Sequence, residues 1–254
     1  MKDLLSLVSK PARYLGQEIN SIKKDPAETE LRFCLAFPDV YEVGMSHLGI
    51  QILYHILNGK KGIACERVFA PWVDMEEVLR KRNLSLSSLE SSTPLSEFDI
   101  LGFSLQYELC FTNVLNMLQL SQIPLFSKER DDRFPLVIAG GPSVFNPAPV
   151  ADFFDAIVLG DGEEVVVEIC DQVLQGKKAK AKKEVLLKTL SQLEGVYVPG
   201  LHPKGQTIYK MVASDLNQAP FPTCPIVPYM KVIHDRLNME IARGCKRGCR
   251  FCEA

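Results

Sequence analysis

Short apolar runs rich in Val, Ile and Phe alternate along the chain with stretches whose apolar positions recur every three or four residues. The first pattern predicts buried strands at 31–37 (LRFCLAF), 63–69 (IACERVF), 99–104 (DILGFS), 135–140 (PLVIAG) and 155–160 (DAIVLG). The second predicts helices over 47–59, through Ile52, Leu53, Ile56 and Leu57, and over 108–120, through Phe111, Val114, Leu115 and Leu118. A further helix is expected over 162–176, with Val166, Ile169, Cys170 and Val173 on one face and Glu163 and Glu164 in the first turn, where carboxylates suit the helix dipole. Strand and helix in alternation build βαβ units. The fold expected over 31–176 is therefore a doubly wound, mainly parallel α/β sheet.

Past residue 176 the pattern loosens. The run KKAKAKK (177–183) reads as a solvated helix end or linker, followed by a helix at 184–193 and strand-like pieces at 196–200 and 207–212. Residues 216–228 hold four prolines in thirteen positions, which disfavours helix and internal strand and fits an extended connector. LNMEIARGC then gives a short strand pattern running into cysteines. The organisation expected is an N-terminal helical segment (1–30), the α/β domain (31–176), a linker region with a short helix and strands (177–235), and a separate terminal unit (236–254).

Composition adds little to this. The 254 residues are 46% hydrophobic and 24% charged, ordinary for a globular protein, and a net charge of −2 offers no bulk attraction to nucleic acid or anionic membrane. The start, MKDLLSLVSK, lacks the long apolar core and cleavage site of a secretory signal, and no apolar run approaches the length of a membrane span. The compartment expected is the cytoplasm. In that reducing setting Cys34, Cys65, Cys110, Cys170 and Cys224, scattered through mostly apolar segments, read as small buried hydrophobes.

Cys245, Cys249 and Cys252 are different, being clustered among polar residues. Spaced four and three apart, they cannot all point one way from a straight helix or strand, but a loop can wrap them around one centre. Soft thiolates suit zinc or an iron–sulfur cluster. Zinc sites of this kind usually add further ligands downstream, whereas three cysteines on a four-iron cluster leave one iron open to an exogenous chelating group. The segment Arg243-Gly244-Cys245-Lys246-Arg247-Gly248-Cys249-Arg250-Phe251-Cys252 closely resembles the cluster loop of radical S-adenosylmethionine (SAM) enzymes, including the aromatic residue before the third cysteine. The resemblance implies a [4Fe–4S] cluster on Cys245, Cys249 and Cys252, SAM chelated to the fourth iron, and a one-electron donor such as a flavodoxin or ferredoxin. Arg243, Lys246, Arg247 and Arg250 place positive charge around an anionic cluster, and Gly244 and Gly248 allow tight turns beside sulfur.

Open α/β sheets bind ligands outside the carboxyl ends of their strands. Those ends here are 38–49, Ser104 to Tyr107, Gly140 to Ser143 and Gly160 to Glu164; small residues dominate, either to make the turns or to let a ligand approach the backbone. AGGPSVFNPAPVADFFDAIVLGDGEE (139–164) and GFSLQYE (102–108) resemble the amino-terminal domain of cobalamin-binding radical SAM enzymes. By that resemblance Ser104, Leu105, Gly140, Gly141 and Gly160 would accommodate the nucleotide tail of cobalamin. One departure stands out. The D-x-H-x-x-G signature of cobalt-ligating histidines is missing around His47, which reads as a helix-start histidine. Two alternatives stay open: cobalamin bound without that ligand, or the fold kept without cobalamin.

The fold implied is a Rossmann-like domain of the cobalamin-binding type, a proline-rich connector, and the first strand and loop of a radical SAM barrel. The chain reads as the amino-terminal part of such an enzyme, ending before the barrel and so inactive alone. Two rivals remain, a non-catalytic cobalamin or nucleotide-binding module and a zinc-binding interaction domain.

Overall fold

The computed structural model describes residues 2–203, 205–213 and 215–250. In chain order its regular elements are α1 (Lys2–Leu5), β1 (Leu31–Phe37), α2 (Tyr41–Gly44), α3 (Leu48–Gly59), β2 (Ile63–Phe69), α4 (Val73–Arg82), β3 (Ile100–Ser104), α5 (Phe111–Leu120), β4 (Leu136–Gly140), β5 (Ala156–Val158), α6 (Val165–Ala179), α7 (Lys183–Leu190) and β6 (Val196–Tyr197). The six strands lie in the order β2-β1-β3-β4-β5-β6, parallel throughout except for β6, which runs antiparallel to β5. This is the doubly wound α/β arrangement that the alternation predicts, with the strand order reversing beside β1.

Both faces of the sheet are covered, which is why its strands are apolar almost without interruption. Phe33, Leu35, Ile138 and Val158 point to one side, where Tyr54 and Leu57 of α3 and Ile169 and Val173 of α6 meet them. Cys34, Leu101, Val137 and Ile157 point to the other, against Met75 and Leu79 of α4 and Val114 and Leu118 of α5. Cys34, Cys65, Cys110 and Cys170 are buried as expected, but Cys224 is exposed. Its four-proline surroundings give it no packed face to enter.

Three late strand expectations are corrected. Of 196–200 only Val196–Tyr197 pairs. Residues 207–212 reduce to a single bridge, in which Met211 bonds through both its N–H and its C=O to the backbone on either side of Gly160. Gly160 has φ +96°, and that left-handed turn ends the ladder. Residues 237–245 form no strand among the described residues. Leu237, Met239 and Ile241 stand 72%, 73% and 90% exposed, so the alternating pattern is present without a neighbour to pair with.

The margins of the sheet are closed by the chain itself. Beside β2, Leu89 N–H donates to the Arg67 carbonyl, and the carboxylates of Glu90 and Glu66 take the N–H groups of Arg67 and Ser91. At the far margin β6 is two residues long, and the next N–H, that of Val198, donates to Nδ1 of His202.

The N-terminal residues are anchored through charge as well as burial. Arg67, 1% exposed on β2, donates to Glu18 at 2.8 Å and to Glu90 at 2.6 Å, and Tyr41 Oη donates to Glu18 at 2.9 Å.

Candidate functional site: a roofed cavity at the sheet's carboxyl edge

At the carboxyl ends of β1, β3, β4 and β5 lies a cavity of about 510 Å³. Its floor follows from strand alternation. Phe33, Leu35, Ile138 and Val158 point into it, and Gly102 leaves space that the Phe33 ring enters, since a Cβ on Gly102 would fall 2.7 Å from that ring. Ile52 and Leu53 of α3 form one wall and Val166 of α6 the other. The result is an apolar slot between two helices, opening to polar groups at its mouth.

Of the five crevice residues expected from sequence, Ser104, Gly140, Gly141 and Gly160 line this cavity, and Leu105 does not. Ser104 Oγ accepts from Gln106 Nε2 at 2.8 Å. Leu105 is fully buried on the opposite face. Its N–H donates to the Gly140 carbonyl at 2.7 Å and its own carbonyl accepts from Ser143, so it joins the β3 and β4 turns and lies away from the cavity. The glycines differ in what they do. Gly141 has φ +106°, and a Cβ there would sit 2.4 Å from the Leu105 oxygen; at Gly160 a Cβ would sit 2.0 Å from the Met211 oxygen. Both are glycine because another stretch of backbone crosses them. A Cβ on Gly140 would meet only Val158, at 3.7 Å, on the cavity side. Gly140 is the mouth glycine whose bareness keeps space open.

His47 also lines the cavity. It stands at the start of α3, but its ring makes no capping bond, and its Nδ1 is buried without a partner. The ring packs 5.4 Å from that of Phe37. Burial, and secondarily the charge of His234, hold its pKa below the ordinary histidine value. The neutral imidazole therefore faces the cavity at neutral pH. A proton NMR titration should place its midpoint below the roughly 6.5 of an unfolded-chain histidine. Because the unfolded chain then binds the proton more readily, stability should fall as pH drops through that ordinary range. A midpoint at or above the ordinary value would contradict the buried placement.

The roof comes from the other end of the sequence. Glu240, Ala242, Arg243 and Gly244 line the same cavity, and Cys245 follows directly. Arg243 Nε donates to Glu240 at 2.7 Å, its Nη1 lies 3.3 Å from Asp161, and its Nη2 pairs with Glu163. Hydrogen bonding to Glu240, then to Glu163, raises the Arg243 pKa further. Glu163 thus faces Arg243 instead of serving the first turn of α6, which begins at Val165. Arg243 is matched by carboxylates and is not a free positive charge beside the cysteines. Cys245 and Cys249 are exposed, and Gly244 and Gly248 adopt φ of +76° and +61°, as a wrapping loop requires. Cys252 lies outside the described residues. No preformed group of three metal-ligating side chains occurs among the described residues, and none of the helices described is long and apolar enough to cross a membrane.

His47 stands at a helix start as expected, but the roof residues escape a purely local reading. Their partners lie far off in sequence, 80 residues in the case of Arg243 and Glu163.

A family profile described as radical SAM proteins, N-terminal, matches residues 49–199, more than half of the chain. An uncharacterized protein of Methanocaldococcus jannaschii is 24% identical over 223 residues, a match covering 87% of this chain and 40% of the relative. The chain thus spans less than half the length of that relative. No solved structure matches it. Matched across more than half its length, the chain belongs to the family of radical SAM proteins, N-terminal.

Proposed function

We propose that this chain is the amino-terminal part of a radical SAM iron–sulfur enzyme, with Cys245, Cys249 and Cys252 as ligands of a [4Fe–4S] cluster and the cavity as the seat of the nucleotide tail of a cobalamin. The observation that carries the reading is the roof: the residues immediately before the first cysteine cover the crevice at the carboxyl edge of the sheet. For the cluster, the donor set fits. Exposed thiols stand on a loop whose glycines take left-handed turns, and soft thiolates are the ligands such a cluster needs. For the tail, an apolar slot of about 510 Å³ between two helices leaves room for a heteroaromatic group.

The chemistry supplied at the cysteines would be one-electron reduction of SAM, with the electron from a flavodoxin- or ferredoxin-type donor. The chain's own residues do the holding. Phe33, Leu35 and Ile138 exclude water from the slot, Ser104 and Gly140 leave its mouth open, and His47 presents a neutral ring to whatever enters.

The test is cobalamin titration of the chain, followed by visible absorption and equilibrium dialysis. Gly140→Leu fills the slot from a strain-free position and is expected to weaken binding by about 1–3 kcal/mol, roughly 5- to 150-fold. Gly141→Leu should instead disturb folding, because it combines a left-handed φ with a backbone clash. Cobalamin affinity unchanged by Gly140→Leu, with folding intact, would rule out the slot. Zinc taken up in preference to iron would overturn the cluster.

A further inference from the structure

Among its described residues, the cysteine-bearing segment is tied to the α/β domain by hydrogen bonds and ion pairs at one place. Among the described residues after His234, the hydrogen bonds and ion pairs reaching the sheet domain come from Arg243. One residue, Gly244, separates it from Cys245. The receiving side is itself hydrogen-bonded within the domain. Asp161 and Glu163 sit in the turn between β5 and α6, and Asp161 Oδ2 also accepts from Ala213 N–H at 2.7 Å.

The charges say what the guanidinium does there. Glu240 travels with the segment, whereas Asp161 and Glu163 belong to the domain. Without the cation these carboxylates face one another across the junction and push the segment away. A guanidinium can serve all three because its donors fork in a plane, which a lysine ammonium does not reproduce.

We propose that Arg243 is a positioning residue that docks the cysteine loop over the cavity mouth, so that the loop's placement is set by the Arg243–Glu163–Asp161 ion cluster. The proposal rests on reading Cys245 as a cluster ligand, but the docking can be measured without iron or any cavity ligand. A nitroxide label on Cys245, in the full chain carrying Cys224→Ser, Cys249→Ala and Cys252→Ala, reports loop mobility through its electron paramagnetic resonance line shape.

With Arg243 intact the label should be restricted. Arg243→Met should raise the ratio of mobile to docked signal by about tenfold, a coupling typical of paired neighbouring charges. Arg243→Lys should fall between the two. Glu163→Gln should mobilise the label alone and add little in the Arg243→Met background. High salt should loosen the parent and not the Arg243→Met variant, because the attraction it screens is already gone. Circular dichroism confirms that each variant is folded. Equal line shapes with and without Arg243, or fully additive effects of Arg243→Met and Glu163→Gln, would overturn the docking role. Failure of iron loading in a parent chain whose loop is docked would instead count against the cluster reading.

Discussion

Cys249→Ala is expected to reduce iron retained after anaerobic reconstitution to background, with no four-iron signal in the reduced protein. Two thiolates on a four-iron cluster leave two irons without a protein ligand. Cys249 is exposed, so its loss removes a ligand without disturbing packing. Cys245→Ala and Cys252→Ala should behave alike. The contrast lies in the core. Cys34 is buried in an apolar cluster, and burial pushes its thiol well above the ordinary range, so it stays protonated and inert. Cys34→Ala or Cys110→Ala should leave iron content unchanged and cost roughly 1 kcal/mol of stability. A four-iron signal surviving Cys249→Ala would end the assignment of these cysteines.

The largest effect on stability is expected at Arg67. Its buried guanidinium stands between Glu18 and Glu90, and Arg67→Met leaves two carboxylates in the interior without their cation. Such a break costs about 3–5 kcal/mol. The loss should depend on pH. Burial alone would raise Glu18, but the charge and hydrogen bond of Arg67 outweigh it and hold Glu18 below the usual carboxylate range. That contribution is present above the unfolded carboxylate value, about 4.3, and is lost as pH falls through the folded one. Glu90 is raised, with burial the main cause, so acid relieves it. Arg67 lowers the pKa of both carboxylates, so in Arg67→Met both rise further, acid relieves the variant more than the parent, and the gap narrows at low pH. Urea unfolding at pH 7 and pH 4 checks this; a gap that widens on acidification would refute the account of the triad.

The central strands were legible because β1 to β5 are apolar on both faces and bounded by turn residues. Their observed limits lie within a residue or two of the expected ones, as at 31–37 and 63–69. What escaped was structure that depends on a distant partner. Met211 pairs with the backbone beside Gly160, and nothing local to 207–212 says that only one bridge will form. The candidate site divides in the same way. That Ser104, Gly140, Gly141 and Gly160 converge follows from each standing at a strand's carboxyl end. That Gly141 and Gly160 serve backbone crossings follows only from where Leu105 and Met211 lie. Leu105 is expected at the cavity from the family resemblance, yet strand alternation turns it to the opposite face. Arg243 read as a charge for the cluster because Glu163 and Asp161, its partners, are remote in sequence.

The closed margins of the sheet bear on how this domain can associate. A parallel sheet with an open outer strand offers a ladder that a second copy can extend, the usual route to fibrous growth. Here one margin has the Arg67 amide taken by Glu90 and the Cys65 amide by the Asn58 side chain, and the other stops after two residues beside His202. Among the described residues, strand addition meets partly occupied backbone at one end and a two-residue strand at the other. Contacts with another protein are therefore expected through side chains on the loops and helices, and growth along the sheet is disfavoured.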